Sequence, residues 1–275
     1  MINLLLGVIT RIFSNSYLNV FQKILTKNGE FPLVINFYTY LGLTIIGFLI
    51  CPNPIFTKAI MFNFFIMGIL GAVGNYFIIK ALSCGELSSL APINSYKPIV
   101  ALLVSFLLLK EVPSLLAIFG IMLIIFGTLI LGNNILYNKS TLYRGLALVF
   151  SGIEAVFIKK IILLSGVSAA FLYWALASFI FTILFLFISK HDLKIKKCNI
   201  KYQVILILFV ALMQYSTNYV FARMNVAYAL ALFQLSTLVS VFLGVNVFKE
   251  EGFLRKLVAS VVMVMGAIVI ILNTG

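Results

Sequence analysis

Three ionised side chains stand inside otherwise apolar stretches of this chain: Arg11, Lys97 and Glu154. Each has polar company one helical turn away. Asn15 follows Arg11 by four residues, Asn94 precedes Lys97 by three, and Ser151 precedes Glu154 by three, spacings that share a helix face. A base offers donors to a carboxylate or phosphate, and a carboxylate accepts an ammonium group or carries a proton. An amino-acid-like zwitterion could use both, its carboxylate near Arg11 or Lys97 and its amine near Glu154. Asn75, Gln214, Asn218 and Gln234 add neutral donors and acceptors in further apolar stretches. Other chemistry is poorly served. There is one histidine, no His-Glu-x-x-His pattern, no second acid within an apolar stretch to pair with Glu154, and no phosphate-cradling loop. Cys51, Cys84 and Cys198 have neither paired nor metal-ligand spacing. No enzyme, cofactor, metal or nucleic-acid partner is expected.

The elements that hold these residues must cross a bilayer. The chain is 63% hydrophobic and 10% charged, with a mean hydropathy of +1.17, against roughly 45–50% and 25% for soluble domains. Its 275 residues supply about ten spans of about 20 residues with short connections. The spans read as 3–25, 32–50, 59–82, 88–109, 114–132, 142–163, 168–188, 202–223, 227–248 and 254–273. The fold class is therefore an all-α integral membrane protein of ten transmembrane helices. The first apolar run is broken by Arg11 and followed by polar residues, which is unlike a cleaved leader.

The ten spans divide into two copies of five. Asn75-Tyr76 recurs as Asn218-Tyr219, 143 residues on, and Lys110-Glu111 recurs as Lys249-Glu250, 139 residues on. Val20-Phe21-Gln22-Lys23 stands beside Val156-Phe157-Ile158-Lys159. The predicted halves are 1–132 and 133–275. Five is odd, so the second half enters from the opposite face and the repeats are inverted. Polar residues concentrate in spans 1, 3, 4, 6, 8 and 9, which predicts that these line a central cavity. Spans 5 and 10 are apolar, with Gly120, Gly127 and Gly266 suited to close backbone packing.

Depth supports a shared level. Arg11 lies about eight residues into its span and Glu154 about twelve into a span running the other way, so both sit roughly 12 Å from one face. Lys97 falls near mid-depth. Pro92 and Pro98 interrupt the fourth span, each removing a backbone donor and freeing the carbonyl four residues earlier, at Ser88 and Asn94. Broken helices at mid-depth point to a solute site. The ninth span has Ser236-Thr237 there and no proline, so the halves are not equivalent at this position.

Blander readings apply to other residues, and one applies here. Arg11 and Glu154 could form a purely structural ion pair, with Lys97 hydrogen-bonded to carbonyls. Trp174 reads as packing, His191 as a loop residue, residues 194–197 as a topological signal near anionic lipid, and Lys80 and Arg223 as bases reaching to the interface. Bases concentrate in the odd-numbered connections, which places those on the cytoplasmic side and both termini outside.

Ala81-Leu82, Pro98, Lys110-Glu111, Gly120 and Gly127 resemble the repeated signature of the EamA-type, ten-helix members of the drug/metabolite transporter superfamily. The second copy keeps Glu250 and Gly266 and lacks the proline. The resemblance implies inverted five-helix repeats around a central cavity lined by spans 1, 3, 4, 6, 8 and 9, and transport of small organic metabolites. Members of that family are usually drawn with both termini in the cytoplasm, opposite to the charge count, and orientation stays open. The expected function is a secondary transporter moving a small polar metabolite, an amino acid or related zwitterion or anion, by alternating access. Its expected partners are that solute and membrane lipid, and its expected place a bacterial inner (plasma) membrane. Proton coupling, exchange and facilitated diffusion are all compatible. The alternatives are a carrier for sugars, nucleotide-type or cationic compounds, or a membrane-embedded structural or assembly protein. Oligomeric state is not legible.

Overall fold

A computed structural model of the chain describes residues 2–85, 90, 92–131, 139–189, 199–236, 238–239 and 253–272. Regular secondary structure among these is all helical. In chain order it comprises α1 (Ile2–Lys27), α2 (Pro32–Ile50), α3 (Lys58–Cys84), a 3-10 turn (Pro92–Tyr96), α4 (Lys97–Leu109) and α5 (Leu115–Leu131). The helical stretch Lys139–Ser189 holds α6 (139–165) and α7 (167–189), separated by Gly166 at φ 83° and ψ 174°. Then come α8 (Ile200–Phe221), α9 (Val226–Phe233) and α10 (Phe253–Leu272). Asn3–Lys27, Pro32–Ile50, Lys58–Cys84, Lys139–Ile188 and Ile200–Phe221 are long and apolar enough to cross a membrane, and Ile93–Leu109, Leu115–Ile130 and Val258–Leu272 are shorter apolar helices. Leu49, Phe62, Leu107, Phe126 and Phe187 stand exposed, which suits lipid and not water.

Helix ends follow local chemistry. Pro32 opens α2, where its missing N–H costs nothing. Thr57 caps α3 by accepting from the Ile60 amide, and the Asn225 side chain caps α9 by accepting from the Ala227 amide. Lys110 closes α4 in the left-handed conformation, at φ 56°.

Gly166 replaces an expected four-residue connection over 164–167. A positive φ with extended ψ is open to glycine and strained for other residues, so one residue suffices to turn the chain. The two arms then lie side by side on α3. A methyl at Gly68 would meet Ala177 of α7 at 2.7 Å, and one at Gly74 would sit 3.4 Å from Phe150 of α6. Helix α1 packs on α8, and α3 packs on α6 through Gly74 and the stacked rings of Phe77 and Phe150. Helices α5 and α10 form a pair by backbone contact: a methyl on Gly120 would fall 2.8 Å from the Gly266 carbonyl oxygen, and one on Gly266 would fall 2.6 Å from that of Gly120. Such approach gains dispersion energy where lipid supplies no hydrophobic drive between helices.

The fourth span, expected as one helix over 88–109, is a 3-10 turn leading into α4, with Pro98 in the first turn of α4. There the proline starts a helix and does not kink one. The ninth span, expected over 227–248, also breaks. Helix α9 ends at Phe233, and Gln234 and Leu235 form a turn. Thr237, Ser240, Glu250, His191 and residues 194–197 lie outside the described residues.

Candidate functional site

Glu154 is the centre of the polar interior. It is buried, 8% exposed, and α3 makes room for it with a glycine, since a methyl at Gly71 would come within 2.5 Å of Oε1 and 2.9 Å of Ser178 Oγ. Trp174 Nε1 of α7 donates to Oε1 at 2.6 Å. Tyr40 of α2 packs edge-on against that indole at 5.4 Å, and its hydroxyl faces Ser178, Asn75 and the Glu154 charge. Asn75 Nδ2 donates to Asn36 Oδ1 at 2.6 Å, which binds α3 to α2. The carboxylate therefore sits where α2, α3, α6 and α7 meet.

Lys97 enters from α4. Its carbonyl oxygen lies 3.6 Å from the position a Gly152 methyl would take, so its backbone is level with the turn of α6 that precedes Glu154. The residue as a whole is half-buried, and its ammonium has no ion pair among the described residues and lies in the fields of Glu154, Arg11 and Arg144. Asn94 precedes it in the 3-10 turn, half-buried. A broken helix that delivers an unpaired cation opposite a buried carboxylate has the form of a solute site.

Arg11 makes no ion pair with Glu154. Its Nε donates to Thr217 Oγ1 of α8 at 2.7 Å, and its guanidinium stacks 4.9 Å above the Phe233 ring of α9. Its Nη1 is buried without a partner. One turn on, Asn15 Nδ2 donates to Ser236 Oγ at 3.0 Å and Ser16 Oγ donates to the Ser236 carbonyl at 2.9 Å. Ser16 thus satisfies one carbonyl just past the end of α9, a service needed wherever helical bonds are lost out of reach of water.

The remaining predicted residues have more structural surroundings. Gln214 and Asn218 share a hydrogen bond at 2.9 Å, and the Asn218 amide meets backbone groups of Val167 and Phe171, tying α8 to the first turn of α7. Gln234 donates to the Leu230 carbonyl one turn back, at 3.2 Å. Lys80 lies over the rings of Tyr76 and Tyr143 at 5.2 and 4.7 Å, and Arg223 over Tyr219 at 3.5 Å.

Sequence reasoning missed three groups. Trp174, read as packing, is the hydrogen-bond partner of Glu154, and no spacing rule links residues on two helices across a glycine break. Arg144, counted among the bases of a connection, is 6% exposed. Lys159 forms an ion pair with Glu111 and donates to the Met224 carbonyl at 2.8 Å, while Glu111 Oε2 accepts from the Val226 amide at 3.1 Å. The kinship of Lys159 with Lys23 was the one available signal: Lys23 donates to the carbonyls of Leu82 in the last turn of α3 and of Gly85 just past it, as Lys159 does to Met224 beyond α8.

A separate crevice of about 410 Å³ opens between α1, α2, α7 and α8, lined by residues that include Gly7, Thr10, Ile46, Phe171, Tyr215 and Tyr219. It does not include Lys97 or Glu154.

Residues 2–133 match the EamA-like transporter family. A solved structure described as "Crystal structure of protein" covers 99% of this chain and 98% of its own, with a TM-score of 0.75 at 16% identity; at that identity the likeness shows the fold alone. Comparison with curated proteins gives no match. Residues 2–133 are thus those of an EamA-like transporter sequence, consistent with a membrane transporter of the drug/metabolite transporter superfamily.

Proposed function

We propose that the chain is a secondary carrier of a small polar organic metabolite, built from two inverted five-helix halves, 1–132 and 133–275, in a bacterial plasma membrane. Its solute site lies between Lys97, Glu154 and Trp174, with Arg11 on the far wall. The packing of α1 on α8, that of α3 on α6, and the reciprocal contact of Gly120 with Gly266 support the two-half reading. Rocking of one half against the other would expose the site to each face in turn.

The observation that carries the solute site is Lys97, a cation in the first turn of a broken helix, opposite a buried carboxylate and without an ion pair of its own among the described residues. An unpaired charge at this depth is expensive unless a partner arrives. Uptake of radiolabelled amino acids and organic acids into proteoliposomes tests it. Glu154→Gln and Lys97→Ala should each lower transport by at least about tenfold while the protein still melts cooperatively, the loss expected when a charged contact to solute is removed. Unchanged kinetics in both variants would remove the site from this position.

A further inference from the structure

Arg144 sits one turn inside the start of α6, just beyond Ser140, whose hydroxyl would lie 2.7 Å from a methyl at Gly85 and so closes the end of α3 against α6. It is 6% exposed, and both Nε and Nη1 are buried without a hydrogen-bond partner. Among the described residues it has no ion pair. A guanidinium out of water with its donors unmade is among the costlier arrangements a protein can hold. Its charged neighbour on α4 is Lys97, which repels it and which feels Arg11 as well.

Helices α4 and α6 run parallel, since Lys97 is level with Gly152 while Glu111, beyond the end of α4, meets Lys159. Long side chains on a helix lean towards its N-terminus, and that is the direction in which Arg144 lies from the level of Lys97 and Gly152. Arg11 has Thr217 and Phe233 to absorb it, and Glu154 is engaged by Trp174. Lys97 thus stands in the field of one acid, Glu154, and of two bases, Arg11 and Arg144.

We infer that Arg144 and Lys97 form the anion-binding end of the solute site, taking a carboxylate or phosphate group, with the solute body extending towards Glu154 and Trp174. This rests on the carrier reading and narrows it. Three bases against one acid favour an organic anion over a zwitterion of no net charge. An oxyanion would satisfy the orphaned donors and remove the repulsion together.

Trp174 is the only tryptophan and touches the site, so its emission reports occupancy. The full chain in nanodiscs is titrated with inorganic phosphate, succinate and glycine at constant ionic strength, and the phosphate and succinate arms tell the two oxyanion chemistries apart. Wild type should respond saturably to at least one anion more strongly than to glycine. Arg144→Gln and Lys97→Gln should each weaken that response by about tenfold or more, the loss of one charge-assisted contact, at unchanged melting temperature. Where Arg144→Gln does not fold, Arg144→Lys decides: weaker binding with a wild-type melt supports the assignment, and wild-type binding overturns it. If Lys97→Gln loses the response and Arg144→Gln keeps it, the Arg144 assignment falls and the carrier site stands. If neither anions nor glycine bind wild type, both fall. A response to anionic lipid in the nanodisc, with none to soluble anion, would make this a headgroup site and overturn the inference.

Discussion

The indole Nε1 of Trp174 donates to Oε1 of Glu154 at 2.6 Å, joining α7 to α6 across the fold-back at Gly166. A hydrogen bond to a charged acceptor is worth about 1.5–3 kcal/mol. This one also fixes where the carboxylate points.

Trp174→Phe keeps the ring and removes the donor. Transport in proteoliposomes should fall about five- to tenfold, while the melting temperature drops by only a few degrees. Equal transport by Trp174→Phe and wild type would show that the indole packs and does nothing more.

Gly71→Ala places a methyl 2.5 Å from Glu154 Oε1 and 2.9 Å from Ser178 Oγ. The carboxylate must move off the indole. Overpacking of this kind costs about 1–3 kcal/mol, and the Trp174 emission should shift with it. Gly145→Ala is the control, because nothing lies within 4 Å of the added methyl there.

Glu111→Gln leaves the Lys159 ammonium buried beside a neutral amide. Breaking such a pair from one side costs about 3 kcal/mol or more, so the melting temperature should fall by at least about 6 °C. Replacing both residues with glutamine should cost less than the sum of the singles, and additive losses would mean that the pair has no coupling.

Ser16→Ala removes the hydroxyl that reaches the Ser236 carbonyl at 2.9 Å. The cost should be about 1 kcal/mol. Ser14→Ala, in the same helix and with no bond to α9, should be closer to neutral in a thermal melt.

Cys51 and Cys84 follow or end successive helices, α2 and α3, and so report opposite faces of the membrane; Cys84 is exposed and Cys51 is partly so. With Cys198 changed to serine, a membrane-impermeant maleimide added outside intact cells should label one of the two. Labelling of both from one side would overturn the course of α3 through the bilayer.

Much of this was legible in residue types. Apolar runs and turn residues gave α1, α2, α3 and α8 to within a few residues, because length and polarity alone decide what lies in lipid. The interruption before α4 showed through Pro92 and Pro98. The interruption after α9 did not, because the groups that bond Ser236 there, Ser16 on its carbonyl and Asn15 on its hydroxyl, stand more than two hundred residues earlier. Arg11 and Glu154, read as able to pair, each took a neutral partner, Thr217 and Trp174, from a helix whose proximity no local spacing encodes. Arg144 was hidden by position: a base five residues into a helix looks like one that reaches for the surface.

Both oxygens of Glu111 are spoken for by groups late in the chain, one by the Lys159 ammonium and the other by the first amide of α9. A separation at that end has to surrender the two together, for neither can stretch far and keep its strength. The molecule therefore has a threshold there and not a spring, and this end should be found either fastened or free, with little time spent between.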